Sequence, residues 1–488
     1  MKAALFIILL FSLLALSLGL LARGGRRMNL EQWTVGGRSF GTVFVFLLMA
    51  GEIYTTFTLL GGSGFAYGKG AAVYYILMYC TLAYIYSYWL LPPIWRFAKR
   101  HDIVSQPEYF RKRYQSRPLS VLVAAVGVIA SIPYLALQLK GLGIIVQVAS
   151  YGSVSASTAI WLGVLLLAAY VVVSGVHGSA WTAVVKDVTV LAITVFLGIY
   201  LPIHYYGGFA DMFRAIDQAK PGFLAFSPGG TSFTWFQSTV LLATTGFFMW
   251  PFSFTSIFTA KSEQVFRRNA VSLPIYQLIL LFVFFVGFAA ILRIPGLKGG
   301  DIDLALFRLS AQTFDPWFVG IIGGIGVLTA LVPGSLLLIS TSTSIANDLY
   351  RGALNPRATD VTVGRVARAL VPLVALVSAY FALNGGGALV SLLLMGYSLV
   401  TQLFPGVLFS VCNVRRITAS GVFCGIVAGE LCVIAATLTH SNLATMLPFL
   451  PPLFKDINVG FVALILNVLV AFVVGSGTQL RSRSMSVS

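Results

Sequence analysis

The chain has 488 residues, of which 58% are hydrophobic and only 10% charged, with a mean hydropathy of +0.90. That composition excludes a soluble domain of this length and indicates an all-α polytopic membrane protein, since each crossing of a ~30 Å hydrocarbon core takes about 20 apolar residues. The net charge of +17 does not indicate nucleic acid, because the basic residues sit in short loops between apolar runs, where they report topology and lipid headgroups.

Apolar runs bounded by glycine, proline or charge give about 13 transmembrane helices. They lie at roughly 3–22, 40–67, 71–95, 119–150, 157–174, 179–202, 234–258, 270–292, 316–347, 363–383, 387–410, 416–438 and 456–476. The first run is long for the core of a signal peptide. Arg23, Arg26 and Arg27 follow it rather than precede it, so it reads as a retained helix. Assigning alternate loops to one side collects 22 Lys and Arg there, the run from Arg96 to Arg117 among them, against 8 on the other. The positive-inside rule then places the N-terminus outside and the C-terminus inside, in what is expected to be a bacterial cytoplasmic (inner) membrane. Cys80, Cys412, Cys424 and Cys432 have no metal spacing and read as packing residues.

Within the second run, residues 47–64 read LLMAGEIYTTFTLLGGSG. A glutamate, Glu52, at membrane depth costs on the order of 3 kcal/mol by insertion scales. Tyr54, Thr55, Thr56, Thr58, Gly61, Gly62 and Gly64 around it predict a helix break, which is tolerated only against protein or a watery cavity. The loop 96–118 carries Ser105, Pro107 and Glu108 in capping-box order, which predicts a short helix at the headgroups. Pro133, Pro251, Pro333, Pro372 and Pro405 interrupt later runs. Pro251 is set apart by its surroundings, TTGFFMWPFSFTS, and falls in the sixth helix counted from the second run. Broken first and sixth helices are the signature of inverted-repeat transporters. The division expected is residues 1–39 as an extra N-terminal helix and loop, 40–202 and 203–410 as two five-helix repeats, and 411–488 as two C-terminal helices with a short tail.

The segments EQWTVGGRSFG (31–41), FTLLGGSGFAYGKG (57–70), PEYFRKRY (107–114) and STSIANDLYR (342–351) together resemble the sodium:solute symporter family. GEIYTTFT (51–58), SIPYLALQLKGLG (131–143), VVKD (184–187), MWPFSFTSIFTAKSEQVFRRN (249–269) and LVPGSLLLIS (331–340) are similar to its monocarboxylate (acetate, pyruvate, lactate) permease subgroup. The resemblance implies a leucine-transporter-type five-plus-five inverted repeat core with one helix before it and two after. It also implies cation-driven uptake of small carboxylates. In sodium-coupled members a Ser/Thr pair on the eighth core helix and backbone carbonyls of the broken first helix hold the ion. The matching carbonyls here are those of Gly51 and Tyr54. The pair's positions are held by Val332 and Pro333, which have no side-chain oxygen, with Ser335 the nearest hydroxyl. This departure argues against sodium and favours a co-transported proton.

Burial disfavours the charged form of any carboxyl, which suits Glu52 to binding and releasing a proton; the alternative is a structural pair with a neighbouring helix. Thr55 and Thr56 are candidate donors to a substrate carboxylate, unless they bond back to their own helix. Tyr134 and Gln138 are four apart and share a helix face; Gln138 has two donors for a carboxylate. Phe248, Met249 and Trp250, with Pro251, would wall the site. Lys186 and Asp187 read as a gating or structural ion pair, Lys140 as a counter-ion or a snorkelling lysine, Glu430 as structural, and His177 and His204 as surface residues. No phosphate loop, metal cluster or catalytic triad appears, so neither an enzyme nor a bound cofactor is expected. The expected function is a secondary active symporter of small monocarboxylates, with a sodium-coupled carrier of another small solute, such as an amino acid, as the alternative and a membrane sensor as a remoter one.

Overall fold

The computed structural model describes residues 2–23, 29–414, 417–439 and 441–485. Arg26, Arg27, Arg415 and Arg416 of the loop-charge count lie outside the described residues, as do the side chains of Arg23, Arg481 and Arg483.

The regular elements among the described residues are all helical, apart from one isolated parallel bridge between Phe40 and Ala260. The helix α1 (Lys2–Arg23) is followed by the short α2 (Leu30–Val35), capped by the Asn29 side chain accepting from the Gln32 amide at 2.8 Å. The second apolar run is split. The helix α3 (Thr42–Gly51) ends at Gly51, and a π-helical turn, Phe57–Gly62, leads into α4 (Ser63–Lys69). Then come α5 (Tyr74–Arg100), the loop helix α6 (Gln106–Tyr114), α7 (Arg117–Ala149) and α8 (Ala156–Tyr206). After α9 (Phe209–Ala219), a second split separates α10 (Phe233–Gly246) from α11 (Pro251–Ile257), with a bend of 58°. The chain continues through α12 (Gln264–Tyr276), α13 (Leu280–Ala290), α14 (Ala305–Thr313), α15 (Pro316–Thr343) with a π-helical extension to Leu354, and α16 (Asp360–Asn384). It ends with α17 (Leu389–Val400), α18 (Phe404–Val411), α19 (Ala419–Leu438), two single turns, α20 (Leu443–Met446) and α21 (Pro452–Lys455), and α22 (Val459–Met485).

Ten helical stretches among the described residues are long and apolar enough to cross a membrane, eleven with the bent pair α10–α11. The expected count of thirteen is not confirmed by this measure, for two reasons. The run at 40–67 is divided between the short α3 and a stretch continuous with α5. The expected spans 157–174 and 179–202 form one 51-residue helix, α8, interrupted only at Gly175 (φ 55°, ψ −155°). At 1.5 Å per residue a straight helix of that length would measure roughly 77 Å, more than twice the hydrocarbon core, so the glycine break is where its direction changes.

Burial ranks the helices. The most apolar window of Pro316–Leu354 is 94% buried, whereas that of α1 is 22% buried. The helix α15 is therefore the central column, packed on α7, α8 and α1, and α1 is a peripheral helix facing lipid. The helices α19 and α22 pair with each other at the side. One sequence expectation needs correction: His177 is buried, 3% exposed, not a surface residue. The break at Gly175 turns it inward against Phe40, with a ring nitrogen 3.1 Å from the Gln32 carbonyl oxygen. His204 is exposed and stacks on Tyr200.

Candidate functional site at the two helix breaks

Breaking a helix strands backbone groups, and buried ones must find partners. At the first break five carbonyls between Met49 and Tyr54 are met by side chains. Met49 O accepts from the Tyr84 hydroxyl (2.6 Å), Glu52 O from the Tyr134 hydroxyl (3.3 Å), and Ile53 O from the Thr58 hydroxyl. The carbonyls of Gly51 and Tyr54 both accept from one donor, the Lys186 ammonium on α8, at 3.3 and 2.9 Å. Lys186 is wholly buried, and its Nζ also lies 2.8 Å from Oδ1 of Asp187. At the second break Trp250 takes an extended conformation (φ −60°, ψ 136°), and Pro251, which needs no amide partner, starts α11. The freed Met249 carbonyl accepts from the Gln106 amide of α6 at 2.9 Å. Phe40 and Thr259–Lys261 exchange backbone bonds of 3.0 Å, which tie the start of α3 to the end of α11 and hold the two breaks side by side.

Between the breaks sits Glu52, 4% exposed. Ser253 and Ser256 of α11 face its carboxyl, yet neither carboxyl oxygen has a hydrogen-bond partner of good geometry. The Thr56 hydroxyl donates to the Gln138 carbonyl oxygen at 2.6 Å, which leaves the Gln138 amide nitrogen buried without an acceptor. The Thr55 hydroxyl is engaged locally, accepting from the Phe57 amide at 3.1 Å. Trp250 packs on Tyr134 and Tyr397 with ring centroids 4.9 and 5.4 Å away, and Phe252 closes the same wall. Phe248 points elsewhere, into Tyr84 and Tyr86 on α5. The centre therefore brings together Glu52, Thr56, Tyr134, Gln138, Trp250 and Pro251, with Gly51, Tyr54, Lys186 and Asp187 on its α8 flank.

The residues present do not fit a sodium ion. Val332 and Pro333 are buried and offer no side-chain oxygen. A Cβ built on Gly51 would lie 3.3 Å from the Lys186 ammonium and 3.6 Å from Val332 Cγ1, so a lysine and a valine crowd that position. The Ser335 hydroxyl is turned away, 2.6 Å from the Ser179 hydroxyl and bonded to the Val332 carbonyl.

The ends of the site are held by tertiary contacts that the sequence alone did not show. The helix α6 does not rest on headgroups as an anchor; residues 106–110 are buried. It bonds Ser105 to Asp348 (2.9 Å), Gln106 to the second break, and Tyr109 to Ser410 (2.8 Å), three core elements at once. A signal existed, since Gln106 stands between the capping Ser105 and Pro107; its reach to Met249 is tertiary. At the opposite end, the turn Gly299–Leu304 closes on α4, where a Cβ on Gly64 would lie 2.7 Å from the Ile302 carbonyl oxygen. Asp303 in that turn is buried and accepts the first amide of α17, from Leu389, at 2.8 Å. Lys140 reaches the same end, donating to the Gly385 and Gly387 carbonyls at 3.2 and 2.6 Å.

Burial pushes the Asp303 carboxyl, which lies outside the apolar spans, up to about 7 from an ordinary 3.8. Between those values the unfolded chain has released a proton that the folded chain keeps, so stability falls as pH rises from about 4 to about 7. Asp303→Asn, which retains an acceptor for the Leu389 amide, should flatten that slope in a thermal-unfolding series. An unchanged slope would assign it to another group.

Two discontinuous helices meeting at a buried centre, braced by long helices around them, are an architecture characteristic of secondary transporters. A solved Na+-coupled sialic acid symporter, in a substrate-bound outward-open state, shares this leucine-transporter type of fold, with a TM-score of 0.80 at 16% identity over 97% of each chain. The model of the sodium:solute symporter family matches residues 33–429, and the chain belongs to that family of cation-coupled transporters. It is 57% identical to the symporter YhjB of Bacillus subtilis (strain 168), over 98% of both chains. It is 28% identical to a monocarboxylate transport permease protein of Rhizobium johnstonii, over 75% of this chain and 74% of that one. It is 25% identical to the sodium/proline symporter of Escherichia coli (strain K12), over 83% and 82%. It is an integral membrane transporter of small solutes, not an enzyme.

Proposed function

We propose that this chain imports small monocarboxylates together with a proton. The observation that carries the reading is the pair of unsatisfied groups at the breaks: a buried amide donor on Gln138 and a buried carboxyl on Glu52. A buried donor without an acceptor is costly unless a ligand completes it. Its surroundings, Tyr134, Trp250 and Phe252, are apolar walls suited to a short carbon chain. The substrate carboxylate takes the Gln138 amide, with the Thr56 hydroxyl beside it and the half-helix ends favouring negative charge. An ionised Glu52 would repel that anion, so the two enter together only when Glu52 holds a proton. The subgroup resemblance and the Rhizobium relative support a monocarboxylate, whereas the Escherichia relative supports the competing reading, a sodium-coupled carrier of an amino acid. In this proposal 40–202 and 203–410 are the two repeats, Gln106 and Asp348 lie at the cytoplasmic end, and the protein sits in the inner membrane with its N-terminus outside.

The deciding experiment is uptake of labelled pyruvate and acetate into vesicles holding the purified chain, under an imposed proton or sodium gradient, with protein-free vesicles subtracted. Accumulation should follow the proton gradient. Accumulation driven by sodium alone at constant pH overturns the proton reading, and uptake of proline but of no monocarboxylate overturns the substrate. Gln138→Leu fills the same space without a donor. Losing a hydrogen bond to a charged group costs about 1.5–3 kcal/mol, so KM should rise on the order of tenfold or more. An unchanged KM would remove Gln138 from the binding site.

A further inference from the structure

We infer that the Lys186 ammonium is a tethered cation that permanently takes the place of a bound metal ion at the first helix break. The break leaves the Gly51 and Tyr54 carbonyls aimed at one point, and the Asp187 carboxylate is aimed there too. Two carbonyls and a carboxylate converging in a dry interior form a cation site of hard oxygen ligands. What stands at that point is Nζ, at 3.3, 2.9 and 2.8 Å from the three oxygens. The ammonium donates hydrogen bonds to the two carbonyls, and the Asp187 carboxylate beside it supplies the opposite charge as an ion pair. The lysine's charge balances Asp187 and pins the irregular backbone of α3 to α8. Val332 Cγ1 and the ammonium both crowd the face of Gly51, at 3.6 and 3.3 Å from a Cβ built there, and the valine adds no oxygen ligand. Lys186 is a positioning residue: it acts on the substrate centre through the backbone it holds, which carries Glu52 between its two acceptors. This deepens the reading of the chain as a cation-coupled carrier; it concerns this one position and holds whichever solute is carried.

The test measures ion binding without substrate, so that its failure is separable from an error about the solute. Purified full-length wild type should bind no radioactive sodium, and its unfolding temperature should be the same in sodium chloride as in choline chloride at equal ionic strength. Lys186→Ala empties the point but leaves its oxygens. Its unfolding temperature should fall, then recover with sodium or methylammonium and not with choline, in a saturable way. The double variant Lys186→Ala/Asp187→Asn removes the unpaired carboxylate as well and should fold without any added ion, with a weaker response. A purely structural lysine would give a loss that no small cation repairs. Stoichiometric sodium binding by wild type overturns the inference, and so does a Lys186→Ala protein that neither sodium nor methylammonium restores, including one that never folds.

Discussion

Glu52→Gln should abolish proton-driven accumulation while leaving solute exchange intact. Glutamine has nearly the shape of a protonated glutamate, and the wild-type carboxyl lies beside the Ser253 and Ser256 hydroxyls, which a side-chain amide can also meet. Binding, which on the present proposal requires the neutral form, is therefore preserved. Release of the proton is lost, because the amide has none to give up in this range. In wild type an inward gradient of one pH unit supplies about 1.4 kcal/mol per proton, enough for roughly tenfold accumulation of a co-transported anion. In the variant the same gradient should give no accumulation above protein-free vesicles. Vesicles preloaded with unlabelled pyruvate should still exchange it for labelled pyruvate at a rate near that of wild type. Exchange without accumulation separates a coupling residue from a binding one. A variant that accumulates pyruvate as wild type does would place the proton carrier elsewhere; one that loses exchange as well would make Glu52 part of the fold or of the substrate site.

The positions of the two breaks were legible because they rest on local chemistry. A carboxyl among threonines and glycines, and a proline amid Trp250, Ser253 and Thr255, are costly inside an apolar helix unless the helix opens, and it opens at both. The partners of the freed backbone were not legible. Lys186 meets carbonyls more than 130 residues earlier in the chain. Beside Asp187 in sequence it reads as one half of an ion pair, and nothing local says that it also donates to a distant backbone. Gln106 posed the same difficulty: its helix was readable from the Ser105 cap and Pro107, but an amphipathic basic loop helix suits the headgroups as well as the protein, and only the stranded Met249 carbonyl decides between them. His177 was misplaced because the gap between the expected spans 157–174 and 179–202 read as an exposed turn, whereas the chain turns at Gly175 inside the protein.

That corner carries the other large expected effect. Gly175→Ala should cost most of the folded protein. The backbone there has φ 55° and ψ −155°, a region open in practice only to glycine, and an alanine held in it is strained by on the order of 1–3 kcal/mol. A Cβ would also lie 2.6 Å from Trp33 Cδ1 and 3.0 Å from the Trp33 carbonyl oxygen. Trp33 has nowhere to move: it is 1% exposed, and its indole donates to the Val171 carbonyl at 3.3 Å. The penalties add, and together they reach a sizeable part of the ~5–15 kcal/mol that ordinarily separates folded from unfolded chains. Monodisperse protein recovered from detergent should fall several-fold, because a loss of even about 1–2 kcal/mol raises the unfolded population that is aggregated or degraded. Gly364→Ala is the control, because a Cβ there meets nothing within 4 Å. The folded remnant is the more informative part. Lys186 lies about three turns beyond Gly175, so the direction set at this glycine decides whether the ammonium arrives at the Gly51 and Tyr54 carbonyls. Uptake per folded molecule should therefore fall as well. A variant with normal yield and normal uptake would show that α8 can turn its corner without glycine, and that the lysine finds the break from either path.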